Sequence, residues 1–379
     1  MLVDLDEAGL WEYRSAYTSP ADFDEFWQKT LAEAGEIPLD VRIEPVETGL
    51  RTIDVYDVTF AGYAGHPIRA WLRLPRLPHQ PAVTSEKALS GVGGREAFSG
   101  VTSEKALSGV GGMEALSGDG GSEALSAATS EKALSGIVQF HGYGSGRGRA
   151  LDDLLWASAG YAHLLMDTRG QGGGFAGGDT GDPVGADGPT RPGFLTRGLE
   201  SPETYYYRRV FVDAVRAVQV LRGHAAVDAS RVAVVGASQG GGIALAVAGL
   251  IPDDVAALHA QSPFLCDIRR ATRITDADPY HELSAYLATH RRSVESAFTT
   301  LGYFDGLGFA ARATAPAWFS AGLMDGVCPP STAFGAYHAY AGAKHIDLWS
   351  YNGHDAGGPE DQAAVLSAFN SLLQEEESS

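Results

Sequence analysis

Short apolar runs alternate with longer helical segments along this chain, and the alternation constrains the fold more than any other feature. The runs GIVQF, RVAVVG and APAWFSAG are apolar at nearly every position, which is typical of strands buried on both faces of a sheet. Segments such as YYYRRVFVDAVRAVQVLRG and PEDQAAVLSAFNSLLQEE lie between such runs and predict crossover helices. The pattern therefore predicts an α/β fold: a mostly parallel, doubly wound sheet with helices on both faces.

Two parts of the chain depart from this alternation. Near the start, Ser19 and Pro20 predict the beginning of a helix, and the runs TIDVYDVTF and PIRAWLRLP predict strands. Residues 264–310 lie between two predicted strands, are helical in pattern and are rich in Arg, His and Tyr. We expect this segment to form a small cap over one end of the sheet. The whole chain, residues 1–379, is predicted to be a single domain.

A repetitive block interrupts the α/β pattern. Residues 83–136 consist of six consecutive nonamers: VTSEKALSG, VGGREAFSG, VTSEKALSG, VGGMEALSG, DGGSEALSA and ATSEKALSG. Each nonamer has one Leu or Phe beside Ala, Ser and Gly, which is too little apolar surface to offset the entropy of ordering it. We therefore predict an inserted, disordered surface loop that does not enter the sheet. A segment that binds a partner is the alternative.

The charge of the chain argues against two classes of partner. Lys and Arg total 28 against 47 for Asp and Glu, a net charge of −19, and no basic run is dense enough for nucleic acid or an anionic membrane surface. Val232–Ile251 lacks charge, but Gly236 and Ser238 divide it into a strand and a helix, so we expect no membrane span. The N-terminus has no secretory signal pattern, so the cytoplasm is the expected location.

The sequence lacks the residue spacings that are typical of metal and nucleotide sites. Cys266 and Cys328 are too few for a disulfide framework and are predicted to be buried. No group of His, Cys, Asp or Glu has the spacing of metal ligands. No G-x-G-x-x-G register fits residues 142–149, and no GKS or GKT follows. We therefore expect neither a metal nor a cofactor.

The sharpest motif is Gly236-Ala237-Ser238-Gln239-Gly240, a G-x-S-x-G between the strand RVAVV and the helix GGIALAVAGL. A serine on such a strand-to-helix turn has its hydroxyl exposed above the sheet, and the glycines let the chain bend sharply. The same pentapeptide could form an ordinary glycine-rich turn. Its position between a strand and a helix favours a nucleophilic serine.

A serine nucleophile needs a base that a third group holds in place. Asp325 follows the predicted strand APAWFSAG, and His354 follows HIDLWSY. Both lie at the carboxyl ends of late strands, as Ser238 does, and ligands bind at that edge of such sheets. The order Ser, Asp, His matches the order of the α/β-hydrolase triad. The alternatives are a turn-forming aspartate before Gly326 and an ordinary loop histidine.

Acyl transfer also needs two donors for the oxyanion that forms on the carbonyl. One is expected to be the backbone N–H of Gln239, the residue after the nucleophile. The loop His141-Gly142-Tyr143-Gly144 follows GIVQF and resembles an HGGG-type loop, which assigns the second donor to the backbone N–H of Tyr143. Arg169 follows another strand end and is expected to hold loops together.

Longer motifs carry a resemblance to a known family. They include RGQG at 169–172, GFLTRG at 193–198, TYYYRRVFVDAVRA at 204–217, GASQGGGIALA at 236–246, PFLCDIRRA at 263–271 and GLMDGVCPPST at 322–332. With these motifs in order, the chain resembles the acetyl xylan esterase and cephalosporin C deacetylase family, the seventh carbohydrate esterase family. The resemblance covers essentially everything outside the nonamers and implies an α/β-hydrolase fold.

The resemblance implies Ser238 as nucleophile, His354 as base, Asp325 as its partner, and the amides of Tyr143 and Gln239 as oxyanion donors. It implies removal of O-acetyl groups from short acetylated xylo-oligosaccharides and from cephalosporin C, through an acetyl-enzyme and without a cofactor. Because members of that family form hexamers whose active sites face an internal cavity, the resemblance implies a homo-oligomer, a hexamer, for this chain. Two features differ from the family. In family members a Glu follows the catalytic histidine, whereas here Asp355 follows His354. The nonamers are absent from the family and could obstruct assembly of the hexamer.

Other functions remain open at this point. A dienelactone hydrolase or a prolyl-oligopeptidase-like peptidase shares the fold. Only 82 residues precede the nonamers, too few for the propeller that such peptidases usually carry. A non-catalytic scaffold that acts through the nonamers belongs to another class, and the complete order of Ser238, Asp325 and His354 weighs against it.

Overall fold

Helices and strands alternate through most of the computed structural model, which describes residues 3–76, 133–184 and 193–374. Its α-helices are α1 (Glu7–Glu12), α2 (Phe23–Gly35), α3 (Leu155–Ser158), α4 (Tyr206–Arg222), α5 (Gln239–Leu250), α6 (Ile268–Ile274), α7 (Tyr280–Thr289), α8 (Val294–Gly302), α9 (Gly306–Ala310), α10 (Pro330–Ala339) and α11 (Pro359–Leu373). Its strands are β1 (Arg42–Val46), β2 (Ile53–Ala61), β3 (Pro67–Pro75), β4 (Leu134–Phe140), β5 (Ala162–Met166), β6 (Val227–Ala237), β7 (Ala257–Gln261), β8 (Ala317–Gly322) and β9 (Lys344–Trp349).

These strands form one sheet in the order β1-β2-β3-β5-β4-β6-β7-β8-β9. The last six strands in this order, which begin with β5 and β4 and end with β9, are parallel. Strands β1, β2 and β3 pair antiparallel with their neighbours. The predicted α/β fold with a mostly parallel sheet is confirmed. The sequence did not predict β1, because its residues RIEPV are mostly exposed and include a proline.

Successive residues of the central strands face opposite layers of helices. On β6, Val234 packs in the same buried cluster as Val210 of α4 and Ile243 of α5. The next residue, Val235, belongs to a second cluster with Phe369 of α11. Both faces of β6 are therefore covered, which explains why its sequence is apolar at consecutive positions.

The parallel strands also end at a common edge. Phe140, the last residue of β4, is paired with Gly236 of β6. Ala237 at the end of β6 is paired with Gln261 at the end of β7. The loops that follow these strands therefore begin side by side, and this register brings residues far apart in sequence to one edge.

Two boundaries differ from the sequence predictions. The last nonamer does enter the sheet: Leu134–Gly136 belong to β4, because the Leu134 amide bonds to the Ala226 carbonyl at 2.8 Å and Leu134 pairs with Val227. The nonamer residues up to 132 lie outside the described residues. Helix α2 begins at Phe23 and not at Pro20, and its N-cap is Asp22.

Helices α6, α7, α8 and α9 all lie within residues 264–310, here called the cap segment. Its helix α7 approaches the carboxyl edge of the sheet, where Glu282 contacts Tyr143 of the loop after β4. Within residues 3–76, 133–184 and 193–374, no helix has the length and apolarity needed to cross a membrane.

Candidate active site

Ser238 occupies a strained turn between β6 and α5. Its φ is 55° and its ψ is −119°, a backbone conformation that non-glycine residues rarely adopt. Neither flanking glycine leaves room for a side chain. A Cβ on Gly236 would lie 2.2 Å from the Gly240 carbonyl carbon, and one on Gly240 would lie 2.0 Å from the Phe140 carbonyl oxygen. The predicted strand-to-helix turn is present, and the hydroxyl-bearing residue stands at its tip.

Asp325 and His354 meet at the same edge, after β8 and β9. The Nδ1 atom of His354 lies 2.8 Å from Oδ2 of Asp325. The other carboxylate oxygen accepts the amides of Val327 at 2.8 Å and Cys328 at 2.9 Å. Asp325 is buried, whereas about a third of the His354 side chain is exposed. A fixed carboxylate therefore holds one ring nitrogen and leaves Nε2 available.

One residue, Gln261, connects the serine turn to the histidine loop. Its carbonyl accepts the Ser238 amide at 2.9 Å, and its side-chain amide donates to the Asp355 carbonyl at 2.6 Å. This second bond uses the backbone of Asp355, so a carboxylate of any length at that position leaves it intact.

The serine hydroxyl and the histidine are not bonded to each other. No hydrogen bond joins Ser238 to His354 in the described chain. Burial raises the pKa of the nearby Cys328 thiol well above its ordinary value, and the Ser238 hydroxyl opposes that shift. Cys328 is therefore a neutral thiol beside the serine, and it is buried as the sequence predicts, like Cys266.

Two backbone amides near Ser238 have no partner within the described residues. Gln239 is the first residue of α5, so its N–H has no intrahelical acceptor. The Tyr143 N–H makes no backbone or side-chain bond either. These are the two donors that the sequence predicted for the oxyanion, and both remain available for a ligand.

His141 fixes the direction of the Tyr143 N–H. Its Nε2 accepts the Thr168 amide at 3.0 Å, so the proton is on Nδ1, which donates to the Gly142 carbonyl at 3.1 Å. Burial lowers the pKa of His141 and favours this neutral ring. Because a peptide is planar, holding the Gly142 carbonyl also sets the direction of the Tyr143 N–H.

A buried amide network secures the next residue of the loop. Gln171 accepts the Gly144 amide at 2.7 Å and donates to the Gln239 side chain at 2.8 Å. Gln171 therefore joins the loop at residues 141–144 to the residue after the serine. No role was predicted from the sequence for Gln171, Gln261 or the ring of His141. All three are polar residues at or just after strand ends, and that position was the available signal.

Arg169 has the structural role that the sequence predicted. It is buried, and its guanidinium makes two bonds to Asp213, at 2.6 and 2.7 Å. It also contacts Asp182 at 3.4 Å. Arg169 therefore ties the loop after β5 to α4. Among the described residues, no group of three or more His, Cys, Asp or Glu side chains could hold a metal ion.

The sheet, the serine turn and the carboxylate–histidine pair define this chain as an α/β hydrolase. A family model described as acetyl xylan esterase (AXE1) matches residues 1–91 and 122–371. The family model leaves residues 92–121, which lie inside the nonamer block, and residues 372–379 unmatched. The chain belongs to the acetyl xylan esterase family, and it is a carboxylic ester hydrolase.

Solved structures and a curated relative agree with this family. The acetyl xylan esterase from Paenibacillus sp. R4 is 32% identical with a TM-score of 0.77, and the alignment covers 97% of this chain and all of that one. Acetyl xylan esterase 1 from Thermoanaerobacterium sp. JW/SL YS485 is 28% identical with a TM-score of 0.76, over 98% of this chain and all of that one. Acetyl esterase Axe7A from Xylanibacter ruminicola is 33% identical over 167 residues, 43% of this chain. That match spans 36% of the length of Axe7A.

Proposed function

We propose that the chain removes O-acetyl groups from short acetylated xylo-oligosaccharides, and from cephalosporin C, through an acetyl-enzyme on Ser238. The single observation that carries this proposal is the convergence at one sheet edge of the strained Ser238, the Asp325–His354 pair and the unpaired amides of Tyr143 and Gln239. Membership of the acetyl xylan esterase family supports the choice of an acetyl ester.

In the first step, the proton of the Ser238 hydroxyl passes to Nε2 of His354. The serine oxygen forms a bond to the acetyl carbonyl carbon. The negative charge that develops on the carbonyl oxygen is stabilised by the N–H groups of Tyr143 and Gln239. The ester C–O bond then breaks, and the departing alcohol takes the proton from His354.

In the second step, water hydrolyses the acetyl-enzyme. His354 accepts a proton from the water as its oxygen attacks the acetyl carbon, and the same two amides stabilise the oxyanion. The bond to Ser238 breaks, the serine regains a proton from His354, and acetate leaves. Asp325 orients the histidine through both steps.

A small cleft beside the serine turn supports an alcohol that carries hydroxyl groups. It has a volume of about 90 Å³. Its lining has a polar part and an apolar part: Gln139, Asp153, His259, Gln261 and Gln362, and Leu155, Trp156, Val235, Gly236 and Ala237. Amide and imidazole groups of this kind both donate and accept hydrogen bonds. The polar part of the cleft can therefore bond to a hydroxyl group of the substrate.

The test is acetate release from acetylated xylo-oligosaccharides and cephalosporin C, with a peptide substrate for comparison. Ser238→Ala is expected to lower kcat by at least about 10³-fold, whereas Ser371→Ala, which removes an exposed hydroxyl on α11, should behave as the parent chain. Undiminished release by a folded Ser238→Ala chain would refute the serine mechanism. A folded parent chain that releases no acetate would refute the deacetylase proposal.

A further inference from the structure

The side chain of Tyr143 is anchored at its hydroxyl by four hydrogen bonds. Its hydroxyl donates to Oε2 of Glu282 at 2.6 Å. The Tyr143 hydroxyl oxygen also accepts the amide of Phe194 at 2.7 Å and lies 3.3 Å from the amides of Gly193 and Leu195. Three segments that are distant in sequence therefore meet at one phenolic oxygen.

Glu282 belongs to α7 of the cap segment, and it contributes a single oxygen atom. Oε2 accepts both the Tyr143 hydroxyl and the Leu195 amide, the latter at 3.3 Å. Burial raises the pKa of Glu282 relative to an ordinary glutamate, and the bonds from Tyr143 and Leu195 oppose that shift. A half-buried carboxylate is costly unless it is bonded, so its placement beside a tyrosine calls for a function.

The backbone around Tyr143 explains that function. Tyr143 stands between Gly142 and Gly144, and Gly144 has a φ of +74°. Glycines allow many backbone conformations, so the peptide groups of this loop rotate easily unless they are anchored. His141 anchors the peptide on one side and Gln171 the residue on the other. The Tyr143 side chain is the third anchor, and Glu282 holds its far end.

We infer that Glu282 is a positioning residue, which acts through the Tyr143 hydroxyl to keep the Tyr143 backbone N–H aimed at the oxyanion. This inference rests on the proposed function of that N–H. It gives the cap segment a part in the chemical step, since α7 carries the residue that fixes an oxyanion donor. Glu282 itself contacts neither the nucleophile nor the base.

The test compares three variants. Glu282→Leu removes the acceptor, whereas Glu282→Gln keeps one oxygen, which is all that the structure uses. Glu295→Gln is the matched control, because Glu295 is an exposed glutamate of the same cap segment and pairs with Arg269. Steady-state hydrolysis of p-nitrophenyl acetate separates kcat from KM, and hydrogen exchange by mass spectrometry reports the mobility of residues 141–146.

Loss of a whole oxyanion donor lowers kcat by about 10²- to 10³-fold, so a misaimed donor should cost about 10- to 100-fold. We expect that loss in Glu282→Leu, with KM nearly unchanged and faster exchange in residues 141–146. Glu282→Gln should recover kcat to within about fivefold of the parent, since a charge-assisted bond is roughly twice as strong as a neutral one. Glu295→Gln should match the parent in both measurements.

Several results would overturn the inference. A kcat for Glu282→Leu within twofold of the control would do so, whether or not exchange changes. A loss confined to KM would assign Glu282 to substrate binding instead. If the parent chain has no esterase activity, the proposed function fails, and the exchange measurement alone then decides whether Glu282 anchors the loop: unchanged exchange in Glu282→Leu refutes the anchor.

Discussion

The imidazole of His354 is held by one oxygen of Asp325, with 2.8 Å between Nδ1 and Oδ2. The other oxygen of Asp325 is occupied by the amides of Val327 and Cys328. The carboxylate therefore cannot rotate without breaking two backbone bonds. This arrangement fixes Nδ1 of His354 as the nitrogen that faces the carboxylate and leaves Nε2 facing away from it.

Asp325→Asn should impair the reaction without unfolding the chain. The amide oxygen can still accept the two backbone amides, but its NH₂ group then faces His354 and favours the wrong tautomer. We expect kcat to fall by about 10²- to 10⁴-fold with little change in KM. Asp347→Asn is the control, because Asp347 also pairs with a histidine, His345, but at an exposed position. Comparable losses in both variants would contradict the prediction.

The serine turn should not tolerate a side chain at Gly240. A Cβ at this position would lie 2.0 Å from the Phe140 carbonyl oxygen. The clash cannot be relieved by a side-chain rotation, because the oxygen belongs to the backbone and the Cβ is attached to it. We expect Gly240→Ala to lower the free energy of unfolding by at least about 2 kcal/mol and to abolish acetate release. Gly35→Ala, where nothing lies within 4 Å, should leave both unchanged. Thermal unfolding and acetate assays check this, and equal Tm values would refute it.

The boundary of the nonamer block can be tested by two deletions. Residues 134–136 belong to β4, and the Ser135 hydroxyl donates to the Leu373 carbonyl at 2.6 Å. Deleting residues 83–132 should preserve Tm and acetate release, whereas deleting 83–136 should lower Tm by several degrees. Equal Tm values for the two deletions would show that the β4 residues contribute nothing. Loss of activity in the shorter deletion would show that the nonamers are required.

The buried, neutral side chain of His163 should make the free energy of unfolding sensitive to acid. Burial and, secondarily, the Arg73 charge hold the pKa of His163 well below its ordinary value of 6.5. Below pH 6.5 the unfolded chain binds a proton that the folded chain does not. The stabilisation from neutral His163 is therefore present above pH 6.5 and is lost as the pH falls toward the lower, folded-state pKa.

We expect the free energy of unfolding to fall between pH 6.5 and 5.5. Replacing one such histidine should reduce this slope by up to about 1.4 kcal/mol per pH unit. Urea titrations of His163→Gln and of the exposed-site control His345→Gln would measure the two slopes. His163→Gln should show the shallower slope, and identical slopes would rule out His163 as the source.

Much of the site could be predicted from the sequence because the responsible signals are local. The turn at Ser238 depends on a strand, a pentapeptide and a helix that are contiguous. Asp325 and His354 each follow an apolar run directly. Cap residue Glu282 gave no such signal, since a glutamate on a short helix is usually exposed. Its role depends on where α7 lies relative to Tyr143, and that is a tertiary contact.

The sequence by itself determined the α/β class, the order of the predicted serine, acid and base, and the choice of the Tyr143 and Gln239 amides as predicted oxyanion donors. These follow from apolar periodicity and from turn chemistry, which act over a few residues. Only the tertiary structure decided that the last nonamer joins β4 and that Gln261 connects the turn at Ser238 to the loop at His354. It also decided that Glu282 holds Tyr143. Each of these depends on hydrogen bonds between segments far apart in the chain, and their geometry exists only once the sheet has set its strand order and register.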